Sequence, residues 1–283
     1  MFKEPLTDEL QAKLDKLKEY IRGLKSLAVG FSGGVDSSLL LAVAHEVLGE
    51  MAVAVTAVAV FVSEREIKEA ERFCKERGIR QFICRTDPLG TEECRNNHPD
   101  RCYYCKHMIF SEILRIAGEN GIGYVAEGSN TDDLGDYRPG LRAVDELKVK
   151  SPLREAGLGK EEIRKISRAL GLPTWNKPAY ACLASRFAYG EEITEEKLRM
   201  VDEAEQFLIG NGFIEERVRV HGDLARIEVP SEDISRLAAD EMREAIFKRL
   251  RDIGFMYVTL DMQGYRTGSM NEVLLKDGAG PGR

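Results

Sequence analysis

The sequence predicts an α/β protein, in which a domain built on a parallel sheet is followed by a smaller α+β domain. Through the first part of the chain, short apolar segments alternate with segments that repeat apolar residues at helical spacing. The short segments are hydrophobic throughout, as is typical of parallel strands that helices cover on both faces. A chain of 283 residues has room for one large domain or two ordinary ones.

The first domain is predicted to contain four strands with helices around them. Residues 7–24 repeat leucine and isoleucine at the spacing of an amphipathic helix. The predicted strands cover residues 26–31, 51–61, 79–85 and 122–128, and the helices between them cover 37–49, 63–78 and 104–119. Ligands of parallel sheets bind at the carboxyl ends of the strands, so the segments after the first and fourth strands are expected to line one cleft.

A change of pattern near Thr194 marks the second domain. A long predicted helix, TEEKLRMVDEAEQFLIGNG, precedes two strands that alternate polar and apolar residues around a Gly-Asp turn. A helical segment over residues 231–252 and a last strand, FMYVTLD, complete this domain. We therefore predict a first domain over residues 1–190 and a second over residues 191–283.

The composition argues against several classes of protein. The formal net charge is −7, whereas broad nucleic-acid binding needs a basic face. No run of 18 apolar residues predicts a membrane span, and the charged N-terminus lacks the apolar core of a signal peptide, so we expect a cytoplasmic protein. The six cysteines do not indicate a disulfide scaffold in a chain of this length. Clustered cysteines in a reducing compartment more often serve metal binding or catalysis.

The stretch SGGVDS between the first strand and the next helix has the chemistry of a phosphate-binding turn. It lacks the lysine of a P-loop and the G-x-G-x-x-G spacing of a dinucleotide fingerprint. Its glycines let backbone N–H groups approach an anion, its hydroxyls add donors, and the following helix points its positive end at the site. An aspartate would repel a phosphate, so Asp36 is assigned to Mg²⁺. The predicted site residues are Ser32, Gly33, Gly34, Asp36, Ser37 and Ser38. A tight turn with serine caps is the alternative.

This turn resembles the signature of the PP-loop family, the N-type ATP pyrophosphatases with an adenine nucleotide alpha hydrolase-like fold. The resemblance implies that the turn holds pyrophosphate and that ATP is cut between its α and β phosphates, which leaves an adenylated substrate. In EGSNTDD, after the fourth strand, Gly128 and Asp132 are predicted to meet the nucleotide or Mg²⁺, with Asp133 beside them. A polar turn with an asparagine cap is the alternative there.

Cysteines stand out in two further stretches. DRCYYCK places Cys102 and Cys105 at C-x-x-C spacing, and Cys182 lies in PAYACLASR. Together with EGSNTDD, RVRVHGDLARIEV and GYRTGSMNE, these stretches resemble the LarE family over nearly the whole chain, from Ser32 to Glu272. LarE enzymes are sulfur transferases of nickel-pincer cofactor synthesis. The resemblance implies that a small-molecule substrate, a pyridinium dicarboxylate mononucleotide, is adenylated on a carboxylate and converted to a thiocarboxylate. It also implies a homo-oligomer, possibly a hexamer.

The family has two sulfur sources. In one, a single cysteine at the position of Cys182 gives up its own sulfur and becomes dehydroalanine. In the other, three cysteines hold a [4Fe–4S] cluster that carries an extra sulfide, and the set Cys102, Cys105 and Cys182 favours this type. Structural zinc on the C-x-x-C pair, with His98 or His107 as further ligands, is the alternative. The remaining cysteines are Cys74 and Cys84, predicted in the core, and Cys94, predicted as a free thiol.

Arginines in the second domain suggest a phosphate clamp. Strand alternation places Arg217, Arg219 and His221 on one face, and arginine suits the geometry of a substrate phosphate. Ser185 and Arg186, next to Cys182, are predicted to assist. A solvated charged face is the alternative for these side chains.

Three other functions compete with sulfur transfer to a small molecule. A PP-loop tRNA thiolase would also use paired cysteines, but the acidic chain argues against it. An ammonia-dependent amide-forming ligase has no use for Cys102, Cys105 and Cys182 together. A non-catalytic nucleotide sensor would keep the turn only to bind ATP, and release of AMP would distinguish an enzyme from it.

Overall fold

The computed structural model describes residues 5–135, 139–178, 181–266 and 268–271. It forms two compact units, one of residues 1–88 and 100–180 and the other of residues 89–99 and 181–283. The predicted boundary after residue 190 stays a prediction; by contacts, residues 89–99 and 181–190 group with the second unit. Glu272, where the family resemblance ends, lies outside the described residues.

Helices and strands alternate through the first unit as predicted, and the elements of both units are numbered together along the chain. The helices are α1 (Asp8–Leu24), α2 (Val35–Leu48), α3 (Glu64–Arg77), α4 (Glu92–Arg95), α5 (Arg101–Glu119), α6 (Pro139–Glu146), α7 (Pro152–Glu155), α8 (Lys160–Ala169), α9 (Glu195–Gly210), α10 (Ile234–Leu237) and α11 (Asp240–Ile253). The strands are β1 (Leu27–Gly30), β2 (Ala52–Val58), β3 (Gln81–Arg85), β4 (Val125–Ala126), β5 (Arg217–His221), β6 (Leu224–Glu228) and β7 (Tyr257–Leu260).

A four-stranded parallel sheet forms the centre of the first unit. Its order is β3-β2-β1-β4, and every neighbouring pair is parallel, which confirms the predicted fold class. The residues of β1 and the first five of β2 are almost all buried, because helices cover both faces. The apolar stripe of α1 packs into the core through Leu14, Leu17 and Ile21. The carboxyl ends of β1 and β4 therefore lie side by side.

Helix α5 begins earlier than the sequence pattern predicts. The predicted start was near Tyr104, whereas α5 runs from Arg101. The Tyr103 N–H donates to the Asp100 carbonyl at 2.8 Å and closes a turn at the start of the helix. Cys102 and Cys105 are therefore helical residues rather than loop residues, and their i, i+3 spacing puts them on one face.

The second unit contains a three-stranded sheet of order β5-β6-β7. Strands β5 and β6 form the predicted antiparallel hairpin around Gly222 and Asp223, and β7 is parallel to β6. The predicted alternation fails in β5, where the first four residues are all buried. Helix α9 lies against β5, because Glu205 on α9 accepts the Val218 N–H at 2.9 Å. No helix in the described part of the chain is long and apolar enough to cross a membrane.

Candidate active site

The S-G-G-x-D-S turn connects the end of β1 to the start of α2. Gly33 has φ of 72°, a conformation that favours glycine, and Gly34 is the N-cap residue of α2. Ser32 Oγ lies 3.2 Å from Ser37 Oγ and accepts a long hydrogen bond from the Gly34 N–H (3.4 Å). The amino end of a 14-residue helix thus opens beside a glycine turn at the carboxyl edge of the sheet. This is the geometry that binds anions through backbone N–H groups.

Asp36 is the centre of a polar network behind the turn. Its Oδ2 lies 2.5 Å from Lys160 Nζ, and its Oδ1 accepts from Asn130 Nδ2 at 3.3 Å. The ammonium group of Lys160 thus occupies a cation position at the carboxylate to which we assigned Mg²⁺. A single carboxylate with substrate phosphates is a usual set of ligands for Mg²⁺, so the residues present fit the metal.

Gly128 and Asp132 support this network from the segment after β4. A Cβ added to Gly128 would lie 3.0 Å from the Ser37 backbone N, a tighter contact than most side chains make, so glycine suits the close approach of the two segments. Asp132 Oδ2 accepts the Lys160 N–H (2.8 Å) and so holds the first turn of α8, while Asn130 Oδ1 accepts the Asp132 N–H (2.9 Å). The asparagine cap weighed as an alternative is therefore present. A direct contact of Asp132 with nucleotide stays a prediction.

A second lysine, Lys177, contacts the turn itself. Its Nζ donates to the Gly33 carbonyl at 3.0 Å and forms an ion pair with Glu69 on α3 at 2.7 Å. Sequence reasoning missed both Lys160 and Lys177, since it looked for a lysine next to the glycines. The available signals were weak: Lys160 opens a helix after a glycine, and Lys177 lies in a proline-containing loop.

The C-x-x-C turn lies at the same edge of the sheet. Lys106, next to Cys105, has its Nζ 3.9 Å from Oε2 of Glu127, which follows β4 directly. Glu127 is buried, accepts hydrogen bonds from Ser129 and Ser151 (2.6 and 2.7 Å), and precedes Gly128. Lys106, the residue after Cys105, thus reaches the segment that packs on the S-G-G-x-D-S turn.

The described residues do not form a ready cluster site. In that part of the chain, no three His, Cys, Asp or Glu side chains are grouped so that they could hold a metal ion. The Cys102 Sγ accepts a hydrogen bond from Arg101 Nη2 at 3.7 Å. The described residues therefore support neither the predicted [4Fe–4S] cluster nor the zinc alternative.

The cysteines differ in exposure. Cys182 is exposed, Cys102 and Cys105 are half-buried, and Cys74 and Cys84 are buried as predicted. Burial raises the pKa of the Cys74 thiol to about 12 and that of Cys84 to about 11, which disfavours the reactive thiolate. Cys94, predicted as a free loop thiol, is buried at α4.

Arg186 holds the backbone of the loop that carries Cys182. It is 2% exposed, and its Nε and Nη2 bind the carboxylate of Glu205 at 2.8 and 2.9 Å. Its Nη1 donates to the carbonyls of Ala181 and Cys182 and to Ser185 Oγ. Although burial opposes ionisation, Arg186 keeps the pKa of Glu205 below its ordinary value. Each guanidinium nitrogen already donates within the protein, so a substrate contact by Arg186 stays a prediction.

Arg217 and Arg219 are buried, at 3% and 5% exposure. The alternative interpretation, a solvated charged face, is therefore wrong for these two side chains. Arg219 Nε and Nη2 bind the buried Glu228 at 3.0 and 2.9 Å, and its Nη1 donates to the Ser185 carbonyl. The Arg217 guanidinium stacks 5.0 Å from the centre of the Tyr265 ring. Whether either arginine also binds the substrate phosphate stays a prediction.

Glu216 is a buried carboxyl at the end of this arginine cluster. It is 1% exposed, and its Oε2 has no hydrogen-bond partner among the described residues. Burial and the neighbouring Glu205 carboxylate raise its pKa to about 8, so that it is mostly protonated at neutral pH.

Comparison with known proteins places this site in a family. A model of the NAD synthase family matches residues 9–92, which contain the turn. The chain is 38% identical to the pyridinium-3,5-bisthiocarboxylic acid mononucleotide synthase of Lactiplantibacillus plantarum, over 94% of this chain and 96% of that protein. The chain belongs to the LarE family. A Synechocystis protein, itself uncharacterised, matches 94% of this LarE-family chain at 42% identity, and the match covers 100% of that protein. The GMP synthase of Thermotoga petrophila is 28% identical over 71% of this chain and 44% of its own length.

Membership of the LarE family confirms three predictions. The family resemblance, the PP-loop α/β fold and the class of ATP-dependent enzyme all agree with the comparisons and the sheet topology. PP-loop enzymes use ATP with Mg²⁺, which agrees with the predicted cosubstrate and metal. The predicted roles of the individual site residues stay predictions.

Proposed function

We propose that this LarE-family enzyme adenylates a carboxylate of a pyridinium dicarboxylate mononucleotide and then replaces the activated oxygen with sulfur, for nickel-pincer cofactor synthesis. One observation carries the proposal: the S-G-G-x-D-S turn stands at the end of β1 in a chain that aligns almost end to end with a synthase named for the bisthiocarboxylic product.

In the adenylation step, a substrate carboxylate oxygen attacks the α-phosphorus of ATP and pyrophosphate leaves. The Gly33 and Gly34 backbone and the hydroxyls of Ser32 and Ser37 line the turn, where the pyrophosphate end is proposed to bind. Asp36 would hold Mg²⁺, which would neutralise charge on the leaving group.

In the sulfur step, the Cys182 thiolate is proposed to attack the acyl carbon of the adenylate, with AMP as the leaving group. Loss of the Cys182 α-proton then breaks its Cβ–S bond, which leaves the thiocarboxylate on the substrate and dehydroalanine in the chain. The exposure of Cys182, and the fixed backbone that Arg186 provides around it, support this role. Cys102 and Cys105 take no part in this route, because Cys182 itself supplies the sulfur.

The substrate phosphate is proposed to bind near Arg217 and Arg219, with Ser185 beside them. Arg186, Arg217 and Arg219 are buried close enough together to act on one another electrostatically, and this clustering of guanidinium groups supports an anion site. Arginine also offers the fork geometry that suits phosphate oxygens.

A homo-oligomer is part of the proposal. Large apolar side chains of the second unit are exposed, which supports a covered surface. They are Ile214, Phe247, Met256, Tyr257 and Met262. Light scattering on the purified chain measures the assembly, and a strictly monomeric protein would contradict it.

The experiment that tests the function combines product analysis with mass spectrometry. Phosphorus NMR of the enzyme with ATP, Mg²⁺ and the pyridinium dicarboxylate mononucleotide should show AMP and pyrophosphate; ADP with orthophosphate would refute adenylation. After one turnover the chain should be about 34 Da lighter, the mass of the H₂S lost when cysteine becomes dehydroalanine. Cys182→Ala should still form AMP without thiolation, whereas Cys102→Ala and Cys105→Ala should keep one turnover. If anaerobically purified protein contained iron and showed no mass loss after turnover, the sulfur source would be the cluster and not Cys182.

An ammonia-dependent ligase is the second candidate, because the NAD synthase family model matches residues 9–92. The same assay with added ammonium, followed for an amide product, distinguishes this ligase from a sulfur transferase. Steady release of an amide product, with Cys182→Ala fully active, would favour the ligase.

A further inference from the structure

Lys177 lies against the ATP-binding turn although it is 144 residues from Gly33 in the sequence. Its ammonium donates to the Gly33 carbonyl at 3.0 Å and pairs with Glu69 at 2.7 Å, and 12% of its side chain is exposed. Helix α3, which carries Glu69, is itself close to the turn: a Cβ added to Gly33 would lie 3.4 Å from the Ala70 Cβ. The charged group is therefore enclosed between the turn and a helix.

The backbone of Lys177 is fixed as firmly as its side chain. Arg164 on α8 donates through Nη1 to the Trp175 carbonyl and through Nη2 to the Lys177 carbonyl, both at 2.9 Å. The Lys177 N–H donates to the Thr174 carbonyl at 3.0 Å. A lysine held in this way loses little further conformational freedom when it keeps its ammonium at Gly33.

We propose that Lys177 is a positioning residue for the ATP-binding turn, an inference that rests on the function proposed above. The carbonyl and the N–H of one planar trans peptide point in opposite directions. By holding the Gly33 carbonyl, Lys177 fixes the direction of the Gly34 N–H on the other side of that peptide. A cation on the carbonyl also polarises the peptide, which makes the N–H a stronger donor.

The present partner of the Gly34 N–H is one that a phosphate can replace. That N–H donates to Ser32 Oγ over 3.4 Å, a long and weak hydrogen bond. An anionic phosphate oxygen is a stronger acceptor than a hydroxyl. Lys177 thus keeps the donor aligned for the pyrophosphate end of ATP, while the adenosine and α-phosphate end does not depend on it.

A purely structural ion pair is the competing explanation, and Glu69 separates the two. If Lys177 only joined its loop to α3, loss of Glu69 would have the same effect as loss of Lys177. Glu69 also lies 3.8 Å from Arg65 Nε, so its carboxylate retains a neighbouring cation when Lys177 is changed. The positioning role requires the bond to Gly33, which the Glu69→Gln substitution leaves in place.

Isothermal titration calorimetry with pyrophosphate and with AMP, both in Mg²⁺ buffer, tests the proposal. Lys177→Met should weaken pyrophosphate binding about tenfold or more, as expected when a charged hydrogen-bond donor is lost, and should leave AMP affinity within about twofold. Lys177→Arg should restore most of the affinity. Glu69→Gln and the exposed control Lys165→Met should stay within about twofold of the wild type.

Several outcomes would overturn the proposal. Unchanged pyrophosphate affinity in Lys177→Met, or an equal loss in Glu69→Gln, assigns Lys177 to structure alone and leaves the proposed function standing. Equal losses for AMP and pyrophosphate indicate general damage and overturn it as well. If Lys177→Met does not fold, Lys177→Gln, a neutral donor, should show an intermediate loss of pyrophosphate affinity. A wild type that binds neither ATP nor pyrophosphate would refute the function together with the inference.

Discussion

At the scale of single residues, the proposed adenylation depends most on Asp36. Its carboxylate accepts hydrogen bonds from Lys160 and Asn130 and is the proposed ligand of Mg²⁺. The substitution Asp36→Asn removes its negative charge and keeps its volume. We expect ATP turnover to fall to background while the circular dichroism spectrum stays unchanged. Asp15→Asn, on the exposed face of α1, is the matched control and should keep full activity. Normal turnover in Asp36→Asn would remove the carboxylate from the mechanism.

Glu216 makes a pH-dependent contribution to stability. Burial and Glu205 raise its pKa from 4.5 to about 8 in the folded chain. Between these values the unfolded carboxyl has lost its proton and the folded one keeps it, so the free energy of unfolding falls as pH rises from about 4.5 to about 8. Arg217 and Arg186, which also face this carboxyl, moderate the shift.

Glu216→Gln should therefore gain stability over the wild type as pH rises. Between pH 5 and pH 8 the difference in unfolding free energy should change by about 1–3 kcal/mol in favour of the variant. Urea titrations at the two pH values measure it, and Glu215→Gln, an exposed neighbour, should show no such trend. If the difference in unfolding free energy between variant and wild type did not change with pH, Glu216 would have to be ionised in the folded chain.

At the scale of elements, the pair of Arg186 and Glu205 joins three of them. Arg186 lies in the turn after Cys182, Glu205 on α9, and the same carboxylate accepts the Val218 N–H of β5. Removing one partner of a buried pair leaves an uncompensated charge, whereas replacing both is often tolerated. Each partner therefore compensates the buried charge of the other, and the pair also fixes the loop that carries Cys182.

Arg186→Met should lower the free energy of unfolding by about 3–5 kcal/mol, and Arg186→Met with Glu205→Met should recover much of that loss. The exposed pair of Arg199 and Glu203 on α9 is the control, and Arg199→Met should cost about 0.5 kcal/mol or less. Guanidinium unfolding followed by circular dichroism measures all three. Equal losses in the single and double Arg186 variants would argue against a charge-compensation role.

The sequence predicted those elements whose signal is local. The parallel sheet follows from continuous apolar runs, and the turn follows from the spacing of Gly33, Gly34 and Asp36. Strand β5 did not follow the prediction, because Arg217 and Arg219 are buried with Glu228 from the paired strand. Alternation describes a half-exposed strand, and it fails where buried carboxylates compensate buried guanidinium groups.

Contacts between distant segments were beyond the reach of sequence patterns. Lys160 is 124 residues from Asp36, and Lys177 is 144 residues from Gly33. Neither spacing carries a periodic signal, and each pair forms only because helix α8 and the loop after it return to the carboxyl edge of the sheet. The sequence could indicate the turn as a candidate phosphate site, but it could not indicate that Lys160 and Lys177 contact Asp36 and Gly33.

At the scale of the whole molecule, charge separates a small-molecule enzyme from a tRNA thiolase. The chain carries a net charge of −7, and three arginines of the second unit, Arg186, Arg217 and Arg219, are buried. Binding to a nucleic-acid backbone needs accessible cations that release counterions. Buried guanidinium groups paired with Glu205 and Glu228 do not provide them.

We therefore expect no saturable binding of bulk tRNA at about 0.15 M salt, where exposed charges are screened beyond about 8 Å. Fluorescence anisotropy with labelled tRNA measures binding, and the same titration at about 0.01 M salt is the control for weak, non-specific attraction. Thiolation of the mononucleotide should proceed at the same rate after ribonuclease treatment, because no RNA takes part. Tight tRNA binding that survives the higher salt, with thiolated nucleosides in the digested RNA, would instead establish the tRNA thiolase.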